Sequence, residues 1–153
     1  MNLKDIILPD QIFHFNNTPA NKYVLLENLL DKTLNGNDCK KHRQEILSAL
    51  LERERSMSTG IGSGIAIPHC ATDYVDGMLA SMAILPEKIS FEAVDDQPVG
   101  IVVLLLLSKN DFDRHIKTLA AIARAFNQEV LRQAVQQTTN SKEVIEIFDR
   151  FCQ

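Results

Sequence analysis

The sequence lacks any apolar segment long enough to cross a membrane as a helix. Its longest apolar run, residues 99–107, falls well short of the roughly 20 residues that a bilayer requires. Asp5, Pro9 and Asp10 interrupt the apolar stretch at the start of the chain before it could serve as the core of a secretory signal. The three cysteines are odd in number and contain no C-x-x-C pair, so no disulfide framework is predicted. These absences indicate a soluble protein of a reducing cytoplasm.

The chain also lacks a strong excess of charge of either sign. Its 16 basic and 20 acidic residues give a net charge of −4, which creates no attraction to nucleic acid or to an anionic membrane. No repeat, low-complexity segment or Pro/Gly/Ser linker divides the chain, so residues 1–153 are predicted to form one domain. Any phosphate-binding site must therefore be a local basic pocket within an acidic whole.

The first part of the chain has a helical pattern. Thr18 is the candidate N-cap of a first helix, with Pro19 at its first position and Asn35-Gly36 as its stop. A second helix is predicted from near Asp38 to the charged stretch 52–55. Both helices repeat apolar residues at helical spacing.

The middle of the chain is predicted to form strands, and the last third to form helices. A loop of small residues, 56–64, leads to a short strand at 65–67 that Pro68 terminates. Further strands are predicted at 78–85, at 89–91 and from Val99, the last of them buried on both faces. Three helices follow Asp111, and the last begins at a capping box, 141–144, whose acidic residue comes one position early. The order of elements predicts an α/β sandwich with a mixed sheet, without fixing the strand order.

His69 is the first candidate for chemistry, because it follows the proline that ends a predicted buried strand. Such a position combines a rigid base with access from solvent. A neutral imidazole can attack phosphorus and hold the group as a labile phosphoramidate. On local features alone, a surface histidine at the junction between a strand and a loop is the better interpretation.

Two further residues have both a structural and a functional interpretation. His115 borders the apolar face of the predicted helix that follows Asp111, so it could pack there or hydrogen-bond to a phosphoryl group. Arg53 ends the second predicted helix, where it could be a solvated residue favoured by the helix dipole or a rigid donor for phosphate oxygens. On local features alone, the structural interpretation is the better one for both.

The small residues before the strand at 65–67 suggest a phosphate loop, but their context differs from that of the nucleotide-binding loops. Those loops follow a strand and open a helix, whereas this one precedes a strand and lacks the Gly-Lys-Ser/Thr ending. Turns with backbone N–H groups near a bound oxyanion are the more fitting interpretation. The supporting loop consists of Thr59, Gly60, Gly62, Ser63 and Gly64.

Two pairs of residues are potential zinc ligands, Cys39 with His42 and His69 with Cys70. Zinc needs four ligands, and an adjacent histidine and cysteine make awkward geometry, so the spacing is interpreted as incidental. No Ser-His-Asp order, catalytic carboxylate pair or G-x-S-x-G elbow is present.

The arrangement of these residues is more specific than any one of them. The stretch 51–70, LERERSMSTGIGSGIAIPHC, closely resembles the active-site signature of the IIA domains of the bacterial phosphoenolpyruvate-dependent phosphotransferase system, in the fructose–mannitol branch that includes the nitrogen-regulatory IIA proteins. In that family the histidine of the A-I-P-H motif accepts phosphate, and it corresponds to His69. The arginine of the L-E-R-E element corresponds to Arg53, and the histidine of H-[LI]-x-x-L to His115 in HIKTL.

The resemblance extends over nearly the whole chain. Residues 89–99, ISFEAVDDQPV, are similar to a segment shared by the fructose-type and nitrogen-regulatory members, and the opening LKDII looks like their N-terminus. One departure is Cys70, where the family usually has glycine. A cysteine is expected to add a side chain beside the site, so partner fit or redox sensitivity could differ.

The resemblance implies a three-layer α/β/α sandwich with a central mixed sheet and a cytoplasmic phosphocarrier function. The donor would be the histidine phosphocarrier protein HPr or its nitrogen-branch equivalent. The acceptor would be a regulatory target protein or the IIB domain of a fructose- or mannitol-type transporter. His69 would attack in line, Arg53 and His115 would offset charge on the transferring oxygens, and no nucleotide or metal cofactor is expected. The regulatory branch is favoured on the two quoted segments; a binding module that no longer carries phosphate is the alternative from another class.

Overall fold

The computed structural model describes residues 2–152, apart from the side chain of Phe112, and contains six α-helices and six strands over that range. The helices are α1 (Leu3–Ile6), α2 (Lys22–Leu34), α3 (Arg43–Ser56), α4 (Phe112–Phe126), α5 (Glu129–Gln136) and α6 (Ser141–Phe151). The strands are β1 (Ile12–His14), β2 (Gly60–Gly62), β3 (Ile65–Ala66), β4 (His69–Thr72), β5 (Met78–Ile89) and β6 (Val99–Ser108). None of these helices is both long and apolar enough to span a bilayer.

The six strands form one mixed sheet in the order β1–β5–β6–β3–β2, and β4 also pairs with β6. Strand β5 is antiparallel to β6, whereas β3 and β4 are both parallel to it. Ile65 is in register with Ile101, and His69 with Leu105, so β3 and β4 follow one line along the same strand. Strand β3 ends before Pro68, as predicted. Pairing with β6 nevertheless continues past the proline, since the carbonyl of Pro68 accepts the N–H of Leu105 at 3.0 Å and β4 begins at His69.

The sheet has a hydrophobic core on each face, and β6 contributes to both. Ile101, Val103, Leu105 and Leu107 pack in a cluster with residues of α1, α4, α5 and α6. Val102, Leu104 and Leu106 pack on the opposite face with α2 and α3. The predicted central strand, buried on both faces, is therefore confirmed, and so is the three-layer sandwich.

The predicted start of the first long helix is wrong. Asn21 is the N-cap of α2, and its side chain accepts two N–H groups of the first turn. Thr18 instead bonds to β5: its hydroxyl donates to the carbonyl of Glu87 at 2.7 Å and accepts the N–H of the same residue at 3.1 Å. The predicted end is correct, since Asn35 is the C-cap and Gly36 follows with φ +76°.

The capping box of α6 lies one residue earlier than predicted. Asn140, rather than Ser141, is the N-cap, and its side chain accepts the N–H of Glu143 at 3.0 Å. Counted from Asn140, Glu143 occupies the third helical position, where a capping box requires its acidic residue. The two strands predicted at 78–85 and 89–91 also differ from the structure, because β5 continues to Ile89 through an irregular stretch.

Candidate functional site

His69 is the first residue of β4, and the strand register decides which face it occupies. Residues in register on parallel strands share a face, so His69 lies with Leu105 on the side of α4. Cys70 points to the other side and belongs to the core beneath α2 and α3. The ring of His69 is half-buried, and β4, which carries it, pairs with β6 on one side.

One ring nitrogen of His69 is committed to a backbone hydrogen bond. Nδ1 lies 2.8 Å from the carbonyl oxygen of Ile67. A carbonyl only accepts, so Nδ1 must carry the proton, and the lone pair of a neutral ring lies on Nε2. Burial lowers the pKa of His69 below its ordinary value, while the bond to Ile67 opposes this change. The ring is thereby favoured in its neutral form, with Nε2 as the nucleophilic atom.

Arg53 lies in the last turn of α3, and its charge reaches His69. The guanidinium Nη1 donates to the carbonyl of Met57 at 2.8 Å, which uses one of its five donors. The positive charge of Arg53 acts to lower the pKa of His69, as does the nearby His115 to a smaller degree, after the larger effects of burial and the Ile67 bond. The structure therefore places Arg53 and His115 close enough to His69 to act on its pKa, so the three residues predicted from the sequence lie near one another.

His115 lies in the first turn of α4, where its N–H donates to the carbonyl of Asp111 at 3.1 Å. Its side chain is only 8% exposed, which places it in the buried stripe that continues along the helix through Ile122 and Phe126. Its Nε2 atom is buried and has no hydrogen-bond partner among residues 2–152. An unpaired buried nitrogen costs stability, and an oxyanion at the positive end of α4 would supply the missing acceptor.

Two charged residues near the site were not recognised in the sequence. Glu54 and Lys22 are 2% and 4% exposed, and Lys22 Nζ lies 3.1 Å from Glu54 Oε2. Helical spacing could have revealed both: Lys22 lies three and four residues before the buried Leu25 and Leu26, and Glu54 lies four residues after the buried Leu50. A charged residue at such a position is rarely fully buried unless it is paired.

The predicted phosphate loop divides into two parts in the structure. Thr59 lies beside the site, because its carbonyl accepts the N–H of Ile67 at 3.0 Å. Gly60 follows it in β2, where a side chain would come within 2.7 Å of the Ala93 Cβ, so only glycine fits. The chain then turns back into β3 through three residues with positive φ, namely Gly62, Ser63 and Gly64.

The turn at Gly62–Gly64 lies away from the histidine. Gly64 precedes Ile65, which pairs with Ile101, whereas His69 pairs with Leu105, roughly 13 Å further along β6 at 3.3 Å per residue. The N–H of Ser63 is also occupied, since it donates to Asp95 Oδ2 at 2.9 Å. The structure therefore brings Thr59 to His69 and does not bring Gly62, Ser63 or Gly64 there.

The three cysteines are free thiols, and two of them, Cys39 and Cys70, belong to the core beneath α2 and α3. Cys70 is 5% exposed, and burial raises the pKa of its thiol to about 11. Among residues 2–152 no group of three or more histidine, cysteine or acidic residues is placed to hold a metal ion, so the zinc hypothesis has no ligand set in this part of the chain. The side chain expected beside the site is instead directed into the core beneath α2 and α3.

Comparison with known proteins gives one family. The family described as "Phosphoenolpyruvate-dependent sugar phosphotransferase system, EIIA 2" matches residues 5–151. The chain is 32% identical over 149 residues to a PTS system fructose-specific EIIA component of Haloferax volcanii, with 96% of each chain covered. It is 28% identical over 149 residues to a nitrogen regulatory protein of Bradyrhizobium diazoefficiens, with 96% of this chain and 94% of the relative covered.

A solved structure shows the same fold. The crystal structure of the nitrogen regulatory protein IIA-Ntr from Neisseria meningitidis superposes with a TM-score of 0.84, covering 95% of this chain and 98% of the other. The two sequences are 24% identical, so this likeness bears on the fold alone.

Proposed function

This chain belongs to the EIIA type 2 family of the phosphoenolpyruvate-dependent phosphotransferase system, and we propose that it accepts a phosphoryl group on Nε2 of His69. The donor in this proposal is a histidine phosphocarrier protein of the HPr kind, or its nitrogen-branch equivalent. The observation that carries the proposal is the hydrogen bond from His69 Nδ1 to Ile67, because it leaves Nε2 as the free nucleophile of a neutral ring.

The proposed transfer needs no nucleotide and no metal, because the phosphate is already activated on the donor. Nε2 of His69 attacks the phosphorus in line, the bond from phosphorus to the donor's imidazole nitrogen breaks, and that nitrogen leaves with the electron pair. The Nδ1 proton stays in its bond to Ile67 and balances the charge that develops on the ring. Positioning and charge stabilisation supply the rate enhancement in such a reaction.

Two residues are proposed to stabilise the transferring group. Arg53 presents a guanidinium whose planar fork matches phosphate oxygens. His115 offers a buried Nε2 without a partner among the described residues, at the positive end of α4. Hydrogen bonds to the three oxygens strengthen as charge redistributes in the transition state, so both residues would act on the rate.

The experiment that tests this function is incubation of the protein with phosphoenolpyruvate, enzyme I and HPr, followed by intact mass measurement. We expect one acid-labile phosphoryl group on the wild type and none on His69→Ala. His42→Ala is the matched control, because His42 stacks on Tyr74 and lies outside the site; this variant should be phosphorylated normally. Phosphate that persists on His69→Ala, or that survives acid treatment, would refute the proposal.

We propose that the protein belongs to the regulatory branch and acts in the cytoplasm. Its ISFEAVDDQPV segment and STGIGSGIAIPH loop support this assignment. Adding about −1.5 to −2 charges at His69 would change which proteins can bind at that surface. Pull-downs with the phosphorylated and unphosphorylated forms should then recover different partner proteins.

A second candidate function is a sugar-specific IIA subunit that passes its phosphate to the IIB domain of a fructose- or mannitol-type transporter. The relative named as a fructose-specific EIIA component favours it, at 32% identity over nearly the full length of both chains. Efficient, sugar-dependent transfer from phosphorylated His69 to such a IIB domain would establish this alternative in place of the regulatory one.

A further inference from the structure

We propose that Glu54, held in place by Lys22, is a positioning residue that orients the imidazole of His69 through Thr59 and Ile67. The proposal deepens the function proposed above and rests on it. It concerns how the nucleophile is held, and it gives a role to the buried charge pair, which the phosphoryl transfer itself does not use.

A continuous chain of hydrogen bonds connects the carboxylate with the histidine. Glu54 Oε2 accepts the N–H of Thr59 at 3.0 Å, and the Thr59 hydroxyl donates to the other carboxylate oxygen. The carbonyl of Thr59 accepts the N–H of Ile67 at 3.0 Å. The carbonyl of Ile67 accepts Nδ1–H of His69 at 2.8 Å. The position of the Ile67 carbonyl, and with it the tautomer and direction of the ring, is therefore tied to Glu54.

The carboxylate is itself fixed from the side of α2. Lys22 Nζ lies 3.1 Å from Glu54 Oε2 and also donates to the carbonyl of Phe91 at 3.2 Å. The side chains of Lys22 and Glu54 are 5% and 1% exposed, so neither charge is solvated by water. A buried ion pair adds little net stability over apolar residues, which suggests that it serves to fix a geometry.

The same anchor fixes the end of α3. Glu54 directly follows Arg53 in that helix, so a carboxylate bound to Thr59, just before β2, also restrains the turn that carries the guanidinium. Removing a group that orients a metal-ligating histidine in this way typically changes activity about 10–100-fold, and we expect a change of the same order here. Supporting this connection, the negative charge of Glu54 acts to raise the pKa of His69, opposite to Arg53.

Two variants separate an effect on the orientation of the His69 ring from an effect on the stability of the fold. Lys22→Met/Glu54→Leu replaces the pair with apolar side chains, which should keep the fold stable but removes every acceptor for Thr59. Glu54→Gln keeps an acceptor for the Thr59 N–H but removes the buried carboxylate partner of Lys22 and leaves it the exposed Glu92 at 3.5 Å, so it should be the less stable of the two. Ser81→Ala is the control: it removes a buried hydrogen bond to Thr33 and has no link to His69.

Each protein is assayed for its rate of phosphorylation by phosphorylated HPr and, by ¹⁵N-resolved NMR of the ring, for the tautomer of His69. We expect the apolar double variant to lose about 10–100-fold in rate and to populate the Nε2–H tautomer. Glu54→Gln should stay within a few-fold of wild type and keep Nδ1–H, although it melts at a lower temperature. Ser81→Ala should match wild type in both readouts.

A folded double variant with the wild-type rate and the Nδ1–H tautomer would overturn the proposal. If that variant does not fold, Lys22→Met/Glu54→Met decides, because an unbranched methionine fills the space of the glutamate side chain while offering no carboxylate acceptor to the Thr59 N–H. A shift of its tautomer towards Nε2–H supports the proposal, and an unchanged tautomer contradicts it. The tautomer does not depend on phosphorylation, whereas failure of the wild type to accept phosphate would contradict the proposed function alone.

Discussion

Replacing Cys70 with glycine, the residue usual in this family, should change stability and leave phosphoryl transfer intact. The thiol is 5% exposed and lies in the core beneath α2 and α3. Removing two buried heavy atoms costs roughly 1.5 kcal/mol at about 0.8 kcal/mol per methylene-sized group. Glycine inside a strand costs roughly 0.5–1 kcal/mol more. The sum is about 2–2.5 kcal/mol, which corresponds to a drop in Tm of about 4–10 °C for a chain of this size.

Thermal and urea denaturation of Cys70→Gly and Cys70→Ala measure this difference. The alanine variant keeps Cβ and avoids the backbone cost of glycine, so about 1.3–1.8 kcal/mol should separate the two. Rates of phosphorylation by HPr should equal that of wild type in both, because the side chain points away from His69. A glycine variant as stable as wild type, or a tenfold change in rate at unchanged stability, would refute the placement of Cys70 in the core. If Cys70 is buried in the core, its thiol should react slowly with thiol-labelling reagents. Burial raises the pKa of this thiol to about 11, and the thiolate is the reactive form.

Three further outcomes are expected. Arg53→Ala and His115→Gln should each slow phosphorylation about 10²–10³-fold while melting cooperatively, and wild-type rates in both would contradict their assigned roles. The rate should fall as pH drops through the pKa of His69, below the ordinary 6.5, because only the neutral ring attacks. Arg53→Ala should move this midpoint upward, and a wild-type midpoint above 6.5 would contradict the effect of burial. Glu54→Gln should lower the free energy of unfolding, measured by urea titration, by about 3–5 kcal/mol. The loss should lie towards the lower end of this range because Lys22 keeps its contacts with Phe91 and Glu92. Lys22→Met/Glu54→Gln should recover most of the lost free energy of unfolding.

The sequence predicts elements whose cause is local. The apolar run of β6 is a property of neighbouring residues, and this strand begins at Val99 as predicted. Thr18 was misassigned because a threonine before Pro19 is a good N-cap by local rules, whereas its actual partner, Glu87, lies 69 residues away in the chain. Bonds of that kind have no signature in a single sequence.

The same distinction between local and distant causes applies to the residues of the candidate site. Arg53, His69 and His115 were found because the motifs that contain them are specific in combination. Which face His69 and Cys70 occupy was not predictable, since it depends on the register of β4 against β6. A shift of one residue would exchange the two side chains, and only the partner strand fixes it.

The buried charges resolve an apparent conflict in the proposed site. A chain of net charge −4 must attract a phosphoryl group, yet a carboxylate, Glu54, directly follows Arg53 in the same helix. Lys22 lies 3.1 Å from that carboxylate, and Thr59 donates to both of its oxygens, so most of its field is compensated where it is buried. Among the charged side chains that act on the pKa of His69, Arg53 has the largest effect, ahead of Glu54. The ion pair with Lys22 therefore allows the carboxylate of Glu54 to lie next to the proposed phosphate site with reduced repulsion of the phosphate.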